Sequence, residues 1–219
     1  MPAAEPTIAA PEGLRERKKR LTREAIAETA RRLFAERGFE AVPIAEIAQA
    51  ADVSEKTVFN YFPTKEDLVY WRLAAFEEQL LGSIRDREPG ESALGGFGRF
   101  LRQPRGLLAN DAPEELVGVT RMIAASPALL AREQQIFSRY TDALARLLAE
   151  ETGRPPDDVE ARVAANALIG VHRTLVEYTR AKVLAGVGNP RLRRDVLAQT
   201  DRALTALERG FGDYAVRKD

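Results

Sequence analysis

The chain has 219 residues, 45% hydrophobic and 30% charged, enough for one large domain or a small one joined to a larger. Lys plus Arg and Asp plus Glu number 33 each, so net charge points to no partner and only local clusters can carry an electrostatic argument. With no cysteine, disulfides, thiolate nucleophiles and Cys-ligated metals are excluded; the single histidine, His172, excludes a multi-His centre, and neither metal nor cofactor is expected.

No apolar run approaches the roughly 20 residues that span a bilayer. The opening "MPAAEPTIAAPEG" has neither a basic n-region nor an apolar h-region, so residues 1–13 read as a disordered tail and the cytoplasm is the expected location. "RERKKR", residues 15–20, holds five cations against one anion, whereas residues 1–65 as a whole hold eleven Lys or Arg against ten Asp or Glu. Basic charge is thus concentrated just before the first helix. A flexible arm carrying Lys18, Lys19 and Arg20 could follow a nucleic-acid backbone or enter a minor groove.

From there almost every periodic segment has the helical period, and the fold class is all-α, with about nine helices. Thr22 reads as the N-cap of a helix ending at Gly38, with Ile26, Ala30, Leu33 and Phe34 as its apolar stripe. A short helix opens at Pro43 and buries Ile44, Ile47 and Ala48. A third runs from about Ser54 to Tyr61 and is closed by Pro63. A fourth starts at Thr64, with Asp67 at its N3 position, and continues into the low eighties. One short helix, around Leu94–Leu101, is expected within the Gly- and Pro-rich stretch that follows. Helices then cover Glu114–Ala125, Pro127 to Glu151, Asp157 to Ala185, and Asn189 to about Tyr214.

Two short helices joined by a three- to four-residue turn match the helix-turn-helix unit, in which the second helix is presented to the major groove. Ala48, Ala51 and Val53 allow close approach of the pair, and Val58 with Tyr61 or Phe62 anchors the second helix. Phe59 and Phe62 read as core. Ser54 can cap the second helix, leaving Glu55, Lys56, Thr57 and Asn60 outward, types that pair with base edges and phosphates.

The stretch "GFEAVPIAEIAQAADVSEKTVFNYFPTKEDLV" resembles the DNA-binding domain of TetR-family transcriptional regulators, and the likeness runs almost unbroken over residues 22–70. It implies a homodimer with a helix-turn-helix head over residues 14–63 and an effector-binding and dimerisation domain over 64–219. By position it implies that Tyr61 and Lys65 contact phosphate and that Thr57 touches DNA. Two positions depart from the family's pattern. Asp52 stands where glycine is usual, and tolerates the left-handed conformation better than most residues. Pro43 replaces a Thr or Ser, so no contact is assigned to residue 43.

In the C-terminal part, "ARVAANALIGVHRTLVEYTRAKVLAG" is apolar around much of its circumference, and the last helix carries a double apolar stripe. Ala164, Leu168, Val171 and Leu175, with Val196, Ala203, Leu204, Leu207 and Phe211, are therefore expected at a symmetric four-helix interface, in line with the dimer the resemblance implies. Candidate pocket residues are Trp71, Phe76, Phe97, Phe100, Met122, Phe137, Tyr140, Asn166, His172 and Tyr178. Asn166 and His172 are singled out because a buried polar group needs a partner. Such a lining suits a hydrophobic or aromatic effector.

The leading reading is a repressor that a ligand releases from a pseudo-palindromic operator. Alternatives are a ligand-independent or activating regulator and, remotely, a helical enzyme. "GGFG" at 95–98 lacks the strand and lysine of a phosphate loop, and there is no nucleophile motif, so the chain is not expected to be an enzyme.

Overall fold

The computed structural model describes residues 13–103, 113–211 and 216, so all but Gly13 of the expected tail lies outside the described residues. Its described residues form ten helices in two units, one ending at Trp71 and the other beginning at Arg72.

The first unit holds α1 (Leu14–Arg37), α2 (Ile44–Ala50), α3 (Glu55–Tyr61) and α4 (Glu66–Val69). Helix α1 starts eight residues before Thr22 (22 − 14), so Thr22 is no N-cap: its hydroxyl donates to the Lys18 carbonyl at 3.0 Å, within the helix. The basic run is thus helical rather than a flexible arm. Arg, Lys and Glu are good helix formers, and Arg20 pairs with Glu24 one turn on, at 3.1 Å. The expected stripe of Ile26, Ala30, Leu33 and Phe34 is buried, and Val42, Ile47, Val58, Phe62 and Leu68 complete the core. Helix α4 packs on α1 and belongs with this unit.

The second unit holds α5 (Leu73–Arg85), α6 (Ala93–Arg102), α7 (Pro113–Ala125), α8 (Pro127–Glu151), α9 (Val159–Leu184) and α10 (Asn189–Phe211). A single fourth helix was expected; instead Tyr70 ends α4 and Arg72 opens α5, a break that no glycine or proline announces. Gly96 and Gly98, which as helix residues weaken α6, lie at close crossings. A Cβ at Gly96 would meet the Ser83 carbonyl oxygen of α5 at 2.5 Å, and one at Gly98 would meet Leu204 of α10 at 3.1 Å. Helices α8 and α9 pack along their length and are joined by a mostly buried ion pair, Arg180–Glu133, at 2.6 Å. Arg87 is 1% exposed; it donates to the Ile84 and Glu91 carbonyls and pairs with Glu151, so its charge is satisfied on every side. Among the described residues no helix is long and apolar enough to cross a membrane.

Candidate nucleic-acid interface and effector site

Helix α3 is fixed at both ends. At its start the Ser54 hydroxyl accepts from the Thr57 N–H at 3.1 Å and lies 2.9 Å from the Thr57 hydroxyl. The preceding turn is a Schellman closure of α2: Val53 N–H donates to Ala48 and Asp52 N–H to Gln49, at 3.0 and 3.2 Å. Asp52 adopts φ +53°, the left-handed position its place in the turn demands. On the inner side Val58 and Phe62 are buried, and the Arg23 guanidinium lies 5.2 Å from the Phe62 ring centroid.

What remains outward is Glu55, Lys56, Phe59 and Asn60, all exposed, with Thr57 and Tyr61 half-buried at the margins. Phe59 corrects the expectation of a core residue: it is 46% exposed. A helix turns about 100° per residue, so with Val58 and Phe62 on the inner line Phe59 is carried out of the core to the flank where the outer face begins. Thr57, whose hydroxyl is engaged with Ser54, helps to cap the helix as well as flanking that face.

Lys18, Lys19 and Arg20 are exposed on the first turns of α1. Lys65 is placed differently from the expectation. Its ammonium turns back into the head, donating to the Phe39 carbonyl at 2.6 Å and lying 4.4 Å from the Phe39 ring centroid. Desolvation lowers its pKa, against the pull of Glu40 and Glu66. With only four residues, α4 also gives little dipole to add to a phosphate site at Lys65.

In the second unit the structure brings Phe76, Phe100, Phe137, Tyr140 and His172 into one cluster. Phe76 is its hub, edge-on to Phe100 at 5.2 Å and stacked on Tyr140 at 5.7 Å and on His172 at 4.9 Å. Phe137 meets His172 edge-on, at 5.7 Å. The imidazole is held among rings, and burial lowers its pKa to about 4, so it is neutral near pH 7. Burial likewise raises the pKa of Tyr140, whose hydroxyl donates to the Leu73 carbonyl at 2.9 Å.

The other expected pocket residues are not drawn into those ring contacts. Phe97 is fully buried, while Met122 and Tyr178 are half-buried, the Tyr178 ring lying 5.3 Å from the Lys182 ammonium. Trp71 is the last residue of the first unit. Asn166 is corrected: it is exposed, and its amide donates to the Arg162 carbonyl one turn back at 2.8 Å, so it is not a buried group in need of a ligand. It borders an open cavity of about 310 Å3 between α8 and α9 whose walls, including Gln134, Thr141, Arg162 and Arg173, are largely polar.

The profile of bacterial regulatory proteins of the tetR family matches residues 26–70, and that of the MftR C-terminal domain matches residues 108–212. The HTH-type transcriptional regulator TcmR of Streptomyces glaucescens is 30% identical over 151 residues, 67% of this chain and 67% of that protein. The chain belongs to the TetR family. It is also 27% identical to the HTH-type transcriptional repressor KstR of Rhodococcus jostii (strain RHA1) over 173 residues, 79% of this chain and 69% of that one. In fold it is similar to FadR of Bacillus subtilis, solved in complex with stearoyl-CoA: TM-score 0.51, 21% identity, 84% of this chain and 96% of that one. TetR-family proteins are transcriptional regulators, not enzymes, and bind DNA operators and small-molecule effectors.

The residues expected at a dimer interface divide between buried and half-buried positions. Ala164, Leu168, Leu175 and Leu204 are buried by the chain's own helices, because α9 packs against α6, α7, α8 and α10 at once. Val171, Val196, Ala203 and Leu207 are half-buried, and the side chain of Phe211 lies outside the described residues. The apolar side chains that α9 and α10 do present outward are Val159, Val163, Leu184 and Leu197. Small residues mark a close helix contact but not which neighbour makes it, so the stripes alone could not separate inner from outer faces.

Proposed function

We propose that the chain is a cytoplasmic repressor that binds a pseudo-palindromic operator as a homodimer and leaves it when a hydrophobic or aromatic ligand occupies the second unit. Each head offers Glu55, Lys56 and Asn60 to base edges, with Thr57 and Tyr61 at the margin and Lys18, Lys19 and Arg20 toward phosphate. Val159, Val163, Leu184 and Leu197 on the outer faces of α9 and α10 supply apolar surface for the second copy. The likeness to a protein named as a repressor supports the direction of control.

The observation that carries the proposal is the ring cluster around Phe76, which holds a neutral imidazole in a unit distinct from the helix-turn-helix. Rings that stack on one another can stack on an aromatic ligand that displaces one of them. Such a ligand, binding better to the conformation whose heads do not fit successive major grooves, shifts the population off DNA. The test is to select bound duplexes from random DNA with the full-length protein, then titrate aromatic and acyl compounds against the protein–DNA complex. A compound that binds the protein, loses affinity in Phe76→Ala and weakens operator binding supports release. A compound with the same Phe76 dependence that leaves operator affinity unchanged overturns it.

A further inference from the structure

Among the described residues, Phe59 is the only exposed aromatic side chain, and it stands on the shortest well-capped helix of the head. Its neighbours at positions 58 and 62 are 0% and 1% exposed, so the helix has its core anchors without it. Taking about 100° per residue, Phe59 falls between Glu55 and Lys56 on the outward arc, with Asn60 at the arc's edge. A half-exposed benzyl group therefore stands on the face that α3 offers to DNA, between Glu55 and Lys56.

We infer that Phe59 is a specificity-determining residue that reads the C5-methyl group of a thymine in the major groove; the inference rests on the DNA-binding role of α3. The ring has no donor or acceptor, so it can contribute neither a hydrogen bond to a base edge nor a charge-assisted contact to phosphate. Its one favourable contact is apolar. The base edges of the major groove present donors and acceptors, and thymine alone adds an exposed methyl. A phenyl ring pressed on the amino groups of adenine or cytosine strips them of water without replacing their hydrogen bonds, which disfavours those bases at the same place. Phe59 thus selects for thymine and against the alternatives, while Glu55 and Lys56 on either side are suited to the polar edges of the adjoining base pairs.

The test removes one methyl group at a time. An operator is selected from random duplexes with the full-length protein, and each thymine in turn is replaced by deoxyuridine, which keeps base pairing and loses only the methyl. Affinities are measured at one salt concentration for the native chain, F59A and F59L. For the native protein, a single deoxyuridine in one half-site is expected to weaken binding about four-fold, the worth of one buried methyl-sized group. F59A binds the thymine operator several-fold more weakly and shows no further loss at that position, while its response at every other thymine matches the native chain. F59L, which keeps an apolar side chain, retains part of the methyl effect. Phe59 makes no phosphate contact, so F59A leaves the salt dependence unchanged.

Thermal unfolding of both variants at the native temperature separates a reading defect from a folding defect, as expected for an exposed position. If deoxyuridine has the same effect in F59A as in the native protein at every thymine, the assignment of Phe59 is wrong and DNA binding stands. Selection that enriches no site overturns the DNA-binding role itself, and the inference with it.

Discussion

The ammonium of Lys65 is held chiefly by Phe39, donating to its carbonyl at 2.6 Å and lying 4.4 Å from its ring centroid, with the Glu40 carbonyl at 3.5 Å and the Phe34 ring centroid at 5.8 Å. Phe39 follows Gly38, the C-cap of α1, so the cation sits by the end of α1 where carbonyls have no helical partner. The contact ties the start of α4 to the turn that leads into the helix-turn-helix.

This placement predicts a structural effect at Lys65. K65M keeps the aliphatic stem but removes both the hydrogen bond and the cation–π contact, and should cost about 1–2 kcal/mol of stability in thermal or urea unfolding. The log–log salt slope of DNA binding should not change. A slope reduced by about one per head, with native stability, would instead put Lys65 on a phosphate.

His172 makes stability depend on pH in a defined direction. Its folded pKa is about 4, below the ordinary histidine value of 6.5, because desolvation disfavours the charged ring. Between those values the unfolded chain binds a proton that the folded chain refuses. The contribution is therefore complete above about pH 6.5 and is lost as pH falls toward 4, at up to about 1.4 kcal/mol per pH unit. H172F removes this term, so urea unfolding over pH 7 to 4.5 should fall less steeply for the variant. Parallel curves would show that the imidazole takes up its proton without leaving the ring cluster.

One substitution should act with opposite sign at two helical glycines. At Gly96 a new Cβ would lie 2.5 Å from the Ser83 carbonyl oxygen, a backbone atom of α5 that moves only if the helix moves. G96A should cost about 1–3 kcal/mol through overpacking. At Gly118 nothing lies within 4 Å of the added atom, so G118A should gain up to about 1 kcal/mol from helix propensity alone. The midpoints of thermal unfolding for the two variants should bracket that of the native chain.

The parts of the fold that were legible in the sequence are those set by local chemistry. Ser54 announces a cap and makes one, and Asp52 in place of glycine announces a left-handed turn residue and adopts φ +53°. The stripe from Ile26 to Phe34 is buried as its period requires. What was not legible depends on which neighbour covers a residue. Phe59 is apolar, yet its register on a seven-residue helix already anchored by Val58 and Phe62 decides that it faces out. Asn166 finds its partner in its own helix, which sequence spacing allows but does not single out. The break at Tyr70–Arg72 carries no local signal, and the basic run hid its helix because it has no apolar stripe to show a period.

That helix gives the basic run a test that composition alone could not. Lys18 and Lys19 stand exposed in the second turn of α1, where the helix dipole has largely faded, so their charge matters little to the helix and its value lies in an anionic partner. Replacing both by glutamine should leave stability unchanged or slightly raised. It should weaken binding to operator and random duplexes alike, and lower the salt slope by about 0.9 for each phosphate that is no longer neutralised. Because the cations are mounted on a helix, their spacing matters as well as their charge. K18P breaks the helical hydrogen bond to Leu14 and should weaken DNA binding more than K18Q, though each removes one charge. Equal weakening in K18P and K18Q would mean that the run works as a flexible arm on DNA, indifferent to its own backbone.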